Sequence, residues 1–346
     1  MKKVLALVMA LTLSLAVSSG AMAETATYPQ MNIGIASIFV DPNSNPDFNA
    51  EGLSQQYFAD LVNERSGGQI TIKNYWSGML QGDYPTMLSD GELELYYGYL
   101  NASVDKRVSA FNLPGLVTDL DMAWALMGTG GEFYERYKEI AAEYGITCLA
   151  GTAGVMRQFY NNKREVKVPS DISDMLVRAY NDATVTAYWG GIANTVILPM
   201  SELYTSMQMG SLDGFEHGGA SAISNNLHEV AKHCSVINWQ WQYMPSFFAS
   251  TDFFSGLEPQ VATLLTECAN EAATKYYELA KEMETEAWKF LESNGVAVYF
   301  PTEEEQKLWD DYGYSLYDQL AGELGCEELV KELVEISNAY KAEHTK

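Results

Sequence analysis

The stretch beginning at Pro259 most limits what this chain can become. No Gly or Pro follows Pro259 until Gly295, and Pro259 itself suits the first turn of a helix. Val261, Leu264, Leu265, Cys268, Ala272, Leu279, Met283, Ala287 and Phe290 recur at three- and four-residue steps, the period of a helix with one apolar face. At 1.5 Å per residue such a helix runs about 50 Å, longer than a small domain is wide. It either joins a coiled coil or braces two lobes. The apolar steps keep no strict seven-residue repeat, which favours the brace.

What precedes it supplies two lobes. Met31 to Phe39 reads as a strand, broken by Asp41-Pro42-Asn43. Leu53, Tyr57, Phe58, Leu61 and Val62 follow at helical spacing until Ser66-Gly67-Gly68 stops them. Gln69 to Tyr75 alternates as a second strand, Tyr84 to Leu88 reads as a short helix, and Leu93 to Tyr99 as a third strand. Strand and helix in alternation argue an α/β lobe. A second series comprises Cys148-Leu149-Ala150, Gln158 to Asn161, Met175 to Tyr180 and Thr195 to Leu198, then a helix from Ser201 to Met209. Trp239 to Ser250 is extended and aromatic and is expected to return to the first lobe. Acidic helices are expected from Thr302 onward. With no Pro/Ser-rich linker, the chain should cross between lobes more than once, which makes a hinged cleft. The expected division is lobe I at 24–150 plus 237–275, and lobe II at 151–236 plus 276–346.

The first residues bound the location. Lys2 and Lys3 precede an apolar run from Val4 to Val17, and a small-residue segment ends in Ala21-Met22-Ala23. That order is a cleaved secretory signal peptide spanning 1–23. The run is short of the roughly 20 residues that span a bilayer, and no Cys nearby could carry a lipid. The formal net charge of the 346-residue chain is -25. Without Lys2 and Lys3 it is -27, from 19 basic against 46 acidic residues. Such a surface repels nucleic acid and anionic lipid, which excludes both as partners. Salt screens that field beyond about 8 Å, so local groups decide what binds.

Chemistry motifs are sparse. Cys148, Cys234, Cys268 and Cys326 form no C-x-x-C pair, so neither a metal site nor a redox motif is expected. Export permits a disulfide, and burial as separate thiols is the other open reading. His217, His228, His233 and His344 form no H-E-x-x-H, and no G-x-S-x-G nucleophile elbow occurs. Gly128-Thr129-Gly130-Gly131 follows a helical pattern and reads as a helix stop. Two arginines stand out. Arg178 closes the apolar run Met175-Leu176-Val177, at the strand end where α/β sheets bind ligands. Arg157 follows Gly154-Val155-Met156 at the start of another strand. A guanidinium offers a planar fork that matches a carboxylate. Two structural ion pairs to Asp or Glu remain the other reading.

Several segments, taken in order, resemble one family. Val62-Asn63-Glu64-Arg65-Ser66-Gly67-Gly68-Gln69-Ile70, Gly78-Met79-Leu80-Gln81-Gly82-Asp83, Val168-Pro169-Ser170-Asp171-Ile172 leading to Val177-Arg178, and Pro199-Met200-Ser201-Glu202-Leu203-Tyr204 followed by Gly210-Ser211-Leu212-Asp213-Gly214-Phe215-Glu216 are similar to the DctP-type solute-binding proteins of tripartite ATP-independent periplasmic (TRAP) transporters. The resemblance runs over nearly the whole chain after residue 23.

It implies an α/β, two-lobed periplasmic binding protein fold with a hinge and a long bracing helix. It further implies a monomer without a cofactor that takes a small organic carboxylate and delivers it to TRAP-type permease subunits. On that resemblance Arg178 clamps the carboxylate, Arg157 is the second arginine of the cleft, and Phe215 and Glu216 line the site. His217 stands where relatives often carry Asn. Trp239 and Tyr97 are candidate aromatic walls. Asp174 stands where Gly is usual and Leu176 where Lys is common, but Arg178 is retained. Glu216 and His217 could also hold a cation that bridges to the ligand. Two other readings stay open: an exported hydrolase or lyase using Asp213, Glu216 and His217, and a sensory protein serving a membrane receptor.

Overall fold

The computed structural model describes residues 27–44, 46–242 and 246–344. The expected signal segment lies outside the described residues. Eleven strands occur among those described: β1 (Met31–Ser37), β2 (Ile70–Tyr75), β3 (Leu95–Gly98), β4 (Ile146–Ala150), β5 (Val155–Asn161), β6 (Leu176–Ala179), β7 (Asn194–Ile197), β8 (Gly214–Gly218), β9 (His233–Gln242), β10 (Ser246–Ser250) and β11 (Ala297–Tyr299). They form two sheets, ordered β2-β1-β3-β10-β4 and β11-β9-β5-β8-β6-β7.

In the first sheet β1 runs parallel to β2 and β3, while β10 lies antiparallel between β3 and β4. The helix Ala50–Arg65 covers one face. Asn49 starts it by accepting from the Gly52 N–H at 2.9 Å, and Gly67 and Gly68 follow its end with φ of 63° and 79°, a backbone that side-chain-bearing residues resist. Ile33, Ile35, Ile70 and Ile72 pack with Phe58 and Val62 of this helix and with Val261, Leu265 and Ala272. In the second sheet β6 runs parallel to β7 and β8, and β5 is antiparallel to β8 and β9.

The chain passes from one sheet to the other at 151–154, where Gly154 takes a φ of 62°, and returns between Gln242 and Ser246. Residues 237–242, expected in the first lobe, therefore sit in the second sheet, where Val155, Met156 and Arg157 pair with Gln242, Trp241 and Gln240. The extended run from Trp239 to Ser250 is two strands in two sheets, not one.

The long helix spans Pro259–Ser293, 35 residues. It packs on the Ala50–Arg65 helix and β4 of the first lobe, and on the Gly219–Ser224 helix and β11 of the second. Small side chains at Ala269, Ala272 and Ala273, all buried, let its backbone approach the Ala50–Arg65 helix. There Ser54 donates to the Ala272 carbonyl at 2.8 Å. At the crossing, Tyr276 donates its hydroxyl to the Gly154 carbonyl at 2.9 Å. Three acidic helices follow at Glu303–Tyr314, Tyr317–Leu324 and Glu327–His344. The four cysteines are buried free thiols, and burial pushes the Cys148 and Cys234 thiols up to about 12. No helix among the described residues is long and apolar enough to cross a membrane.

Candidate ligand-binding site

Three neighbouring strands of the second sheet bring together one buried charge cluster. β8 lies between β5 and β6 and carries Glu216, which is fully buried. Its carboxylate accepts from the Nε of Arg157 on β5. Its other oxygen lies 3.6 Å from a terminal nitrogen of Arg178 on β6. Arg157 donates again to the Glu216 carbonyl at 2.9 Å, and the Nε of Arg178 donates to the Leu198 carbonyl at 3.0 Å. The two arginines are only 6% and 5% exposed, and Glu216 supplies charge that offsets their desolvation. One carboxylate against two guanidiniums leaves the cluster one positive charge in excess. Both guanidiniums also stand over the Tyr180 ring, at 5.5 and 5.3 Å from its centroid, and the Gln242 amide donates to the Tyr180 hydroxyl.

Arg157, Arg178 and Tyr180 form one wall of a cavity of about 420 Å³ between the lobes, within the usual range for a small-molecule site. The first lobe contributes Phe39 and Glu51 to the opposite wall, and Tyr276 of the long helix also faces the space. His217 lines it too. Burial, then the charges of Arg157 and Arg178, hold the His217 imidazole well below its usual 6.5, so it is neutral near pH 7.

Sequence reasoning named seven site residues, and the structure divides them. Arg157, Arg178 and His217 face the cavity, and Glu216 lies behind the arginines rather than on the wall. Phe215, Trp239 and Tyr97 do not line it, which corrects the expectation for each. Phe215 alternates with Glu216 along β8, so it points to the opposite face, where its ring stacks on Tyr160 at 5.2 Å. Trp239 is 1% exposed and packs among Tyr188 and Trp189 at 4.5 and 5.1 Å. Tyr97 is fully buried behind Phe39, with ring centroids 5.4 Å apart, and stacks on Phe247 at 4.2 Å.

For the bridging cation the surroundings of Glu216 matter. One Glu216 oxygen accepts from Arg157 and the other, 3.6 Å from Arg178, has no hydrogen-bond partner among the described residues; the two guanidinium charges beside it oppose a further cation. No cluster of metal-ligating residues occurs among those described. Asp213 is structural: it accepts from the Leu176 N–H at 2.9 Å and pairs with Lys163 at 3.0 Å.

Tyr180, Glu51, Phe39 and Gln242 were not anticipated. Tyr180 had a signal, because it follows Arg178 by two residues and so shares its side of an extended chain. Glu51 had none, since an acidic residue in a first helical turn reads as a partner of the helix dipole.

A buried arginine pair on one lobe, facing a cavity closed by another lobe, suits a binding protein. The model of the bacterial extracellular solute-binding protein family 7, the DctP family, matches residues 43–323. The chain belongs to this family. Family 7 comprises solute-binding proteins rather than enzymes, so the hydrolase reading falls. Among individual relatives, the C4-dicarboxylate-binding periplasmic protein DctP of Rhodobacter capsulatus is 23% identical over 334 residues, covering 94% of this chain and 95% of the relative. Protein y4mM of Sinorhizobium fredii is 29% identical over 205 residues, 57% of this chain but only 37% of the relative. Among solved structures, a TRAP periplasmic solute-binding protein from a Sulfitobacter, with bound β-D-galacturonate, superposes with a TM-score of 0.78 at 21% identity. That superposition covers 88% of this chain and 99% of the other.

Proposed function

We propose that this protein captures a small organic carboxylate between its lobes and delivers it to a TRAP-type membrane permease. The observation that carries the reading is the Arg157–Glu216–Arg178 cluster, whose excess positive charge faces the cavity. The ligand carboxylate sits against the two guanidiniums, and the lobes close over it. Hydrogen bonds to charged groups are worth about 1.5–3 kcal/mol each, and micromolar binding needs about 8 kcal/mol. Two or three such bonds plus burial of the ligand against Phe39 and Tyr180 reach that value. The ligands named for the two family members above, a C4-dicarboxylate and a uronate, are carboxylates as well. On this reading residues 1–23 are a signal peptide removed after Ala23, and the remainder works as a monomer in the periplasm.

The test is to purify the protein from cells, denature it and identify what it releases by mass spectrometry. A small carboxylic acid in near one-to-one amount is the expected result. A bound molecule without any carboxylate would overturn the reading.

A further inference from the structure

We propose that Glu51 forms a second, opposite pole of the cavity and that the ligand is a zwitterion, with its carboxylate on Arg157 and Arg178 and a cationic nitrogen on Glu51. The inference rests on the carboxylate reading above and narrows the class of ligand.

The charge balance of the wall carries it. Among the described residues, the carboxyl and guanidinium side chains lining the cavity are those of Glu51, Arg157 and Arg178, with Glu216 directly behind the arginines. His217, the remaining titratable imidazole there, is held neutral. Among the described residues the polarity of the site is split between lobes, two guanidiniums and a carboxylate on one side and a single carboxyl on the other. The positive excess belongs to the second sheet, and the negative group to the first turn of the Ala50–Arg65 helix. A simple carboxylate entering this space brings Glu51 no cationic partner, and burial already disfavours the charged form of its carboxyl. A zwitterion pairs both poles and adds no net charge.

Glu51 itself is poised for such a partner. No side chain among the described residues donates to its carboxylate, and burial raises its pKa despite a bond from its own backbone N–H. The hydroxyls of Tyr97 and Tyr276 are close enough to feel its charge and carry no positive charge themselves. Among carboxyls drawn from bulk water, Asp105 accepts from Arg107 and Tyr144, while Glu51 and Glu284 accept from no side chain among the described residues; of these two only Glu51 shares a cavity with the arginines. Glu51 is left to be satisfied from the cavity. The remaining first-lobe wall is apolar, at Ile38, Phe39 and Val40, which suits the hydrocarbon that separates the two charges.

The experiment is calorimetric titration with carboxylates matched in carbon skeleton and carrying hydrogen, hydroxyl or ammonium at the α or the terminal carbon. The wild-type protein should bind at least one ammonium member on the order of tenfold or more tighter than its hydroxyl and unsubstituted counterparts. Glu51→Gln should erase that preference while still binding the unsubstituted acids, and Glu51→Asp should keep part of it. Equal affinity across the matched series in the wild-type protein would overturn the inference, as would a preference that survives Glu51→Gln. Arg178→Ala should weaken every member of the series together. If it weakens none, the carboxylate reading itself fails. If it weakens all while ammonium brings no gain, only the zwitterion inference does. The wild-type ranking decides the matter even if a Glu51 variant does not fold.

Discussion

Glu216→Gln would leave two guanidiniums, 6% and 5% exposed, facing each other without their shared carboxylate. Breaking a buried ion pair by removing one partner costs about 3–5 kcal/mol. The expected outcome is a loss of that order in urea unfolding, together with misplaced arginines and weak ligand binding. Unchanged stability would mean that the arginines are held by something other than Glu216. His217 gives a pH dependence of defined sign. Its folded pKa lies below the 6.5 of an exposed imidazole, so below that pH the unfolded chain binds more protons than the folded one. His217 therefore costs nothing above pH 6.5 and destabilises the fold increasingly as the pH falls beneath it. Melting temperatures of the ligand-free protein between about pH 7.5 and 5 should drop less steeply in His217→Asn than in the wild type, and parallel curves would refute the assignment. Trp239→Ala should cost about 3–5 kcal/mol of stability and, once allowance is made for folding, leave affinity unchanged, because the ring touches Tyr188 and Trp189 and not the cavity.

At the scale of elements, the bond from Tyr276 to the Gly154 carbonyl ties the long helix to the crossing between lobes. Tyr276→Phe leaves that buried carbonyl without its donor, at a cost of about 1–3 kcal/mol. A midpoint in urea unchanged from wild type would show that the link does not matter. The long helix was legible in sequence because its apolar period and its freedom from Gly and Pro are local properties. So was the helix stop before Gly130, since Leu120–Met127 ends at Gly128.

β8 was not legible as a strand. Gly214 and Gly218 disfavour one locally, and pairing with β5 and β6 creates it. At Gly214 a side chain would meet the Phe159 ring and the Tyr160 carbonyl, each 2.8 Å from where its Cβ would lie, so the strand needs glycine there for packing. The boundary between β9 and β10 was hidden for a different reason. Both are extended and apolar, and only their partners in two different sheets separate them. Arg178 stood out because it lies near the carboxyl end of its strand, an informative position in α/β sheets, whereas Arg157 lies near the start of β5. Phe215, Trp239 and Tyr97 were misplaced because an aromatic side chain near a site looks the same in sequence whether it faces the ligand or the core. Glu51 could be found only from the lobes' closure, which brings its helix opposite β5 and β6.

Over the whole molecule, a chain of formal charge -25 keeps two of its cationic side chains, Arg157 and Arg178, in one small, shielded place. The acidic surface is screened by salt within about 8 Å, whereas the guanidiniums act at contact distance inside a cavity. The fold serves that arrangement: two sheets each complete one wall, and a 35-residue helix holds them in register so that closure brings the walls together. We propose that Arg178, with Arg157, holds a carboxylate there. Thermal melting with and without a binding carboxylate tests it most directly, since a ligand present at 100 times its Kd adds about 2.7 kcal/mol. The wild-type protein should melt several degrees higher with the ligand, and folded Arg178→Ala should show no rise. An equal rise in both proteins would contradict the account.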